Sequence, residues 1–209
     1  GLDISSGYVA KLDANGEKLW SYSPAGFAWT YGNANSVMPT DDGGAAVYYF
    51  VDGGSQEIVK LDDAGAVEWN TSSWDGTYFI YGGQAVQLND GRYVIGGLAD
   101  FEHTFYEVGT DGSLLSTWNV APDTGAAWMW SYFTYKEVGI TATADGGFAY
   151  ATGNDGNKIV YKYDADLNLE WSSYIPWDGD LNWEYGYQNG LKTSSDGGFI
   201  LSGSGTTPD

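Results

Sequence analysis

The chain repeats itself four times, and that repetition limits its fold more than any other feature. Three segments share a strand, a turn and a tryptophan. Tyr8-Val9-Ala10-Lys11-Leu12-Asp13 is followed by Gly16 and Trp20, and Ile58-Val59-Lys60-Leu61-Asp62 by Gly65 and Trp69. Ile159-Val160-Tyr161-Lys162-Tyr163-Asp164 leads to Trp171. In each, the Trp stands seven residues after the Asp. The third copy in chain order is degraded: Phe105-Tyr106-Glu107-Val108-Gly109 runs through Gly112 to a Trp118 that sits two places late. Two residues make one strand period, so that ring is expected on the same face as its counterparts.

A second unit alternates with the first. Asp42-Gly43-Gly44, Asp90-Gly91-Arg92, Asp145-Gly146-Gly147 and Asp196-Gly197-Gly198 each precede an apolar run such as Ala45-Ala46-Val47 or Phe148-Ala149-Tyr150. Asp-Gly between apolar runs signals a hairpin, because Gly adopts the positive φ such a turn needs. The period is about 50 residues, the size of one four-stranded blade. We expect one all-β domain over 1–209, a small four-repeat propeller with repeats near 1–40, 41–88, 89–143 and 144–194 and with 195–209 completing the first blade. The chain starts on the Lys-Leu-Asp strand and stops after an Asp-Gly-Gly strand, so pairing of these two half-blades would close the ring and leave no edge.

The pattern resembles the bacterial β-propeller repeat families, whose units read approximately Val-x-Lys-Leu-Asp-x-x-Gly-x-x-x-Trp followed by Asp-Gly-Gly. The resemblance spans nearly the whole chain and implies architecture rather than activity. Eight blades from a dimer, or a larger parent protein, are also compatible with it.

Composition narrows the function. Eight Lys and Arg against 28 Asp and Glu give a net charge of -20, which repels phosphate backbones and anionic membranes. Nucleic acid is therefore not an expected partner. The longest apolar run, Ala45–Val51, is too short to cross a bilayer. No cysteine is present, which removes thiol chemistry, thiolate zinc sites and disulfides. The acidic, cysteine-free character fits an extracellular or cell-surface module, processed or belonging to something larger.

Lys11, Lys60 and Lys162 are expected to snorkel at blade surfaces, the tryptophans to pack blade against blade, and Asp13, Asp62 and Asp164 to bond to the backbone of their own turns. Calcium at these turns is the alternative for the carboxylates, although the loops are shorter than an EF-hand and lack its closing Glu. The sole histidine, His103, has no recognisable nucleophile turn near it and is assigned to packing or surface.

The segments before each Asp-Gly-Gly strand concentrate aromatics: Trp29-Thr30-Tyr31, Phe79-Ile80-Tyr81, Trp130-Ser131-Tyr132 and Trp183-Glu184-Tyr185. Upstream lie Trp74-Asp75-Gly76 and Trp177-Asp178-Gly179. In a propeller these connections gather at one end, around the axis. One reading makes the rings a plug for a narrow core. The other makes Trp29, Tyr31, Trp74, Asp75, Tyr81, Trp130, Tyr132, Trp177, Asp178, Trp183 and Tyr185 repeated sugar sites. There the rings stack on C–H faces and the carboxylates accept hydroxyl protons. Four such sites would add by avidity. The expectation is a non-catalytic module for glycan, cell-surface polymer or peptide, with no required cofactor. The alternatives are a glycoside hydrolase or lyase using Asp75, Asp123, Asp178, Asp180 and Glu184, and a structural spacer or filament subunit.

Overall fold

A computed structural model describes residues 9–23, 36–50, 56–72, 81–99, 102–120, 139–154, 157–175 and 190–202. Among them are sixteen strands and no helix, hence no helix long and apolar enough to cross a membrane. Three sheets are complete and antiparallel. The first orders β3 (Ser36–Pro39), β4 (Ala45–Phe50), β5 (Gln56–Leu61) and β6 (Val67–Ser72). The second orders β7 (Tyr81–Gln87), β8 (Tyr93–Ala99), β9 (Glu102–Val108) and β10 (Leu114–Asn119). The third orders β11 (Gly139–Ala142), β12 (Phe148–Asn154), β13 (Asn157–Tyr163) and β14 (Leu169–Ile175). Two-stranded sheets flank them: β1 (Val9–Leu12) with β2 (Lys18–Tyr22), and β15 (Leu191–Thr193) with β16 (Phe199–Leu201). Among the described residues β1 pairs with β2 alone and β16 with β15 alone.

Each sheet is an antiparallel meander, and its described links are tight turns. In the first turn Asp42 Oδ1 accepts Thr40 Oγ1 at 2.6 Å and the Gly44 amide at 3.0 Å, while Gly43 takes φ +85°. Asp145 does the same with Thr143 and Gly147, and Asp196 with Ser194 and Gly198. The Lys-Leu-Asp turns are capped as the sequence predicts. Asp13, Asp62 and Asp164 each place one oxygen on the amides two and four residues ahead, at 2.8–2.9 Å.

Alternation along the strands sends side chains to both faces of every sheet, so the core lies between sheets. Met38, Tyr48 and Ile58 meet Tyr93, Ile95 and Tyr106 across the first gap. Across the second, Val94 and Phe105 meet Phe148, Tyr150 and Tyr163, with Phe105 edge-on to Tyr150 at 4.6 Å. Trp20 and Tyr22 cover Tyr49 and Leu61 of the first sheet, and Leu191 and Phe199 cover Ala149 and Val160 of the third. The leading strands β3, β7, β11 and β15 adjoin one another in that order. The sheets therefore fan outward from a shared inner row in a propeller-like arrangement.

The three well-formed tryptophans differ in their surroundings. Trp20 lies over Gly65 of the next sheet and donates Nε1 to the Asp63 carbonyl at 2.8 Å. Trp69 lies over Gly112 and meets Tyr93 edge-on at 5.7 Å. Trp171 touches Phe199 but is 40% exposed. The displaced Trp118 still faces the sheet that follows its own, as Trp20 and Trp69 do, paired with Phe105 and packed with Leu167. The lysines are where the sequence reading needs correction. Lys60 and Lys162 do not snorkel: both are buried and ion-paired, because the Asp of the Asp-Gly-Gly turn reaches across the sheet to neutralise them.

Candidate functional site

Strand direction divides the molecule into two ends. The tight turns at 40–44, 62–66, 88–92, 109–113, 143–147 and 194–198 lie at one of them. From the opposite end start β3, β7, β11 and β15, each reached by a long connection from the outermost strand of the preceding sheet. These connections span 24–35, 73–80, 121–138 and 176–189. Their C-terminal anchors, Ser36, Tyr81, Gly139 and Leu191 with its preceding Gly190, stand on neighbouring inner strands.

Trp29, Tyr31, Trp74, Asp75, Trp130, Tyr132, Trp177, Asp178, Trp183 and Tyr185 lie outside the described residues, as do Asp123, Asp180 and Glu184. Tyr81 opens β7, opposite Leu98. The row beneath it is stitched across sheets: the Ala85 amide meets Ser36 Oγ at 3.4 Å, and the Ile140 amide meets Gln84 Oε1 at 3.4 Å. Side chains from one inner strand thus satisfy backbone groups of the next, which holds the anchors in a common row.

Two polar clusters at this end went unnoticed in the sequence. Tyr49 Oη donates to Glu57 Oε2 at 2.6 Å, and burial followed by that bond pushes the phenol far above its usual range. His103 bridges two sheets, with Nδ1 2.8 Å from Tyr150 Oη and Nε2 2.9 Å from Thr152 Oγ1. Both ring nitrogens are committed, which fits the packing role assigned to this histidine. Only cross-strand register, invisible without the pairing, brings these partners together.

At the turn end several acidic groups are bound up in structure. Lys60 Nζ contacts Asp42 Oδ2 at 2.5 Å and Glu68 Oε2 at 2.7 Å. Lys162 contacts Asp145 at 2.9 Å and Glu170 at 2.7 Å. The lysine and the turn hydroxyl lower Asp42 and Asp145 to about 2. Carboxylates held so far below neutrality are poor proton donors there. Among the described residues no three His, Asp or Glu side chains are grouped so as to hold a metal. One oxygen of each of Asp13, Asp62 and Asp164 is occupied by backbone amides.

No family model matches the chain, and no curated protein sequence does. Solved structures do. A protein of unknown function from Bacteroides caccae is 16% identical with a TM-score of 0.57, over 92% of this chain and 62% of that one. A protein from Lactobacillus plantarum is 16% identical with a TM-score of 0.56, over 91% and 55%. The periplasmic gluconolactonase PpgL of Pseudomonas aeruginosa is 15% identical with a TM-score of 0.51, over 92% and 54%. The chain thus spans little more than half the length of the structures it matches. The likeness carries the fold, and it corrects one expectation. The sequence alone points to a binder and not an enzyme, because its motifs repeat and none stands alone as an active site. An enzyme shares this architecture, so repetition of the scaffold gives no ground for excluding catalysis.

Proposed function

We propose that this chain acts on carbohydrate, as a hydrolase or lyase of glycosides or sugar lactones, through the four connections that end on the inner strands. The observation that carries the reading is the common origin of β3, β7, β11 and β15 at the end opposite the tight turns. Connections anchored on adjacent strands would hold their residues near one another, and aromatic and acidic groups from different repeats would then share one neighbourhood. Trp29, Tyr31, Trp74, Tyr81, Trp130, Tyr132, Trp177, Trp183 and Tyr185 would stack on sugar rings. Asp75, Asp123, Asp178, Asp180 and Glu184 would supply the acid and the base or nucleophile, two carboxylates being the minimum for glycoside cleavage. Asp42 and Asp145 are spent on ion pairs and Asp13, Asp62 and Asp164 on turn caps, which favours the connections as the source of this chemistry. The periplasmic gluconolactonase that shares the fold supports both a sugar-derived substrate and an exported setting.

The deciding experiment incubates the chain with oligosaccharides, polysaccharides and aldonolactones and follows new reducing ends, unsaturated products or lactone opening. Turnover abolished by Asp-to-Asn changes in the loops is the expected result. Sugar binding without turnover of any substrate, or turnover indifferent to all five carboxylates, would sink the reading.

A further inference from the structure

The chain has one histidine, and register places it where several structural ties meet. His103 stands near the start of β9, opposite Leu98 of β8, and Leu98 stands opposite Tyr81 of β7. Its carbonyl accepts the Val120 amide at 2.8 Å, just past β10 and immediately before connection 121–138. One row across the second sheet, at the end where the long connections attach, therefore passes through this residue. Its ring enters the gap before the third sheet, as Phe105 does two residues on. There it meets Tyr150 and Thr152 of β12.

The polar atoms of this junction suit a neutral ring and not a charged one. Neutral imidazole has one N–H and one bare nitrogen, so one hydroxyl donates to it and the other accepts from it. A phenol is a stronger donor than an alcohol. That assigns the Tyr150 proton to Nδ1, at 2.8 Å, and the ring N–H to Nε2, 2.9 Å from Thr152 Oγ1. Burial holds the phenol well above its usual range, so it keeps its proton. Imidazolium has two N–H groups and no bare nitrogen. A second proton on the ring therefore sets N–H against O–H and forces the Tyr150 hydroxyl to turn. It turns within a cluster of Phe105, edge-on at 4.6 Å, Phe148 and Tyr163. Tyr150 is 0% and Thr152 3% exposed, so water is poorly placed to replace the lost bond.

The titratable side chains that the third sheet turns toward this gap are phenols. Tyr150 and Tyr161 are paired on β12 and β13, Tyr163 lies further along β13, and Tyr174 of β14 is opposite Ile159. The charged pair that the second sheet contributes, Arg92 with Glu107, lies at the turn end. Glu107 is four residues along β9 from His103, about 13 Å on an extended strand, and is already bonded to Arg92 and Ser116.

We propose that His103 is a pH-sensitive latch between the second and third sheets, closed while the ring is neutral and released when it takes a second proton. Release loosens the ties to Tyr150 and Thr152 and with them the row that carries Val120. The base of connection 121–138 thereby becomes acid-sensitive. The latch acts through folding alone and is independent of the carbohydrate chemistry.

The test follows the ring itself. A single imidazole gives one set of ring signals in a 1H–15N correlation spectrum. The neutral ring should carry its proton on Nε2, and the second proton should enter only below about pH 6.5, the ordinary imidazole value. Tyr150→Phe, which keeps the aromatic ring and removes the hydroxyl, should let that proton enter at a higher pH than in the wild type. His103→Gln keeps one donor and one acceptor and does not titrate. In the wild type the unfolded chain binds the proton more readily than the folded one, so stability falls as pH drops through the imidazole range. Between about pH 7.5 and about pH 5 the wild-type folding constant, read by urea unfolding, should fall about tenfold further than that of His103→Gln. Asp42 and Asp145 titrate below this window. A neutral ring with its proton on Nδ1, a second proton taken at or above about pH 6.5, or parallel unfolding curves would each overturn the proposal.

Discussion

Arg92 and Glu107 form, with charges exchanged, the ion pair that closes the turn end of the other complete sheets. Glu107 holds the register position of Lys60 and Lys162, and Arg92 replaces Gly44 and Gly147 in the turn. The guanidinium bonds Glu107, Asp90 and, at 2.9 Å, the Ala165 carbonyl of the following sheet. The exchange explains why the third Lys-Leu-Asp motif looks degraded: its charge has moved to the neighbouring strand. Glu107→Lys alone sets two cations together in a site where the side chain is 12% exposed, and should cost about 3 kcal/mol. Adding Arg92→Gly rebuilds the Gly-and-Lys arrangement beside Asp90 and should recover most of that loss. Urea unfolding of the single and double variants checks the coupling. The converse graft is closed, because a Cβ at Gly44 would fall 2.0 Å from the Leu61 carbonyl oxygen.

The same ion pairs set a pH dependence. Asp42 and Asp145 have folded-state values of about 2, below the ordinary 3.8. A depressed carboxylate adds stability above its unfolded value and loses it as pH falls toward its folded value. The contribution of both groups should therefore fade between pH about 4 and about 2. Relief of repulsion as the acidic surface protonates acts in the opposite direction on every variant. The comparison that isolates the pairs is Tm against pH for the wild type and for Asp42→Asn with Asp145→Asn. The double variant should lose less in that window, and a parallel pair of curves would show that the ion pairs do not titrate with folding.

Three turn glycines share a positive φ but not their surroundings. A Cβ at Gly65 would meet the Trp20 ring at 2.7 Å, and one at Gly112 the Trp69 ring at 2.6 Å. Gly16 faces open space. Gly16→Ala should cost about 1 kcal/mol, the left-handed backbone alone. Gly65→Ala and Gly112→Ala should cost about 1–3 kcal/mol more, since a tryptophan must give way. Equal costs would mean that the rings yield freely.

What could be read from the sequence was what repeats locally. The turns were visible because Asp-Gly with flanking apolar runs fixes backbone geometry within a few residues, and Asp13, Asp62 and Asp164 cap their turns as expected. The burial of the lysines has no local signature, because their partners, Asp42 and Asp145, are distant in sequence and meet them only across strands. The shift of Trp118 has a similar origin. Leu167, at φ 66°, stands in the following sheet where the others have glycine, and its side chain packs with Trp118 in the core. The indole has moved one strand period, and its Nε1 meets no acceptor among the described residues, unlike that of Trp20. Glu57–Tyr49 and His103–Tyr150–Thr152 are products of register and sheet packing, with no local signature. The candidate site itself was legible as a set of connections rather than as a geometry: strand order fixes where 73–80 and 176–189 are anchored, while Trp74 and Asp75 lie outside the described residues.

Kinetics and thermal melts together tell whether the aromatic and acidic residues of the connections serve substrate handling or folding. Trp74 and Trp177 precede the inner strands β7 and β15 in sequence. If they stack on sugar, Trp74→Ala and Trp177→Ala should raise KM about tenfold, matching a stacking contribution of about 1–1.5 kcal/mol, with Tm unchanged. Asp75→Asn and Asp178→Asn remove a proton donor or acceptor but little volume. Where one of them is the general acid or base, kcat should fall by about 100-fold or more with KM nearly constant. The alternative role as a plug for the ring predicts the reverse for the tryptophans, a fall in Tm of several degrees with the kinetics of the surviving folded fraction intact. Thermal melts run beside the rate measurements decide between the two, because a ring buried in a core cannot be removed without loss of stability.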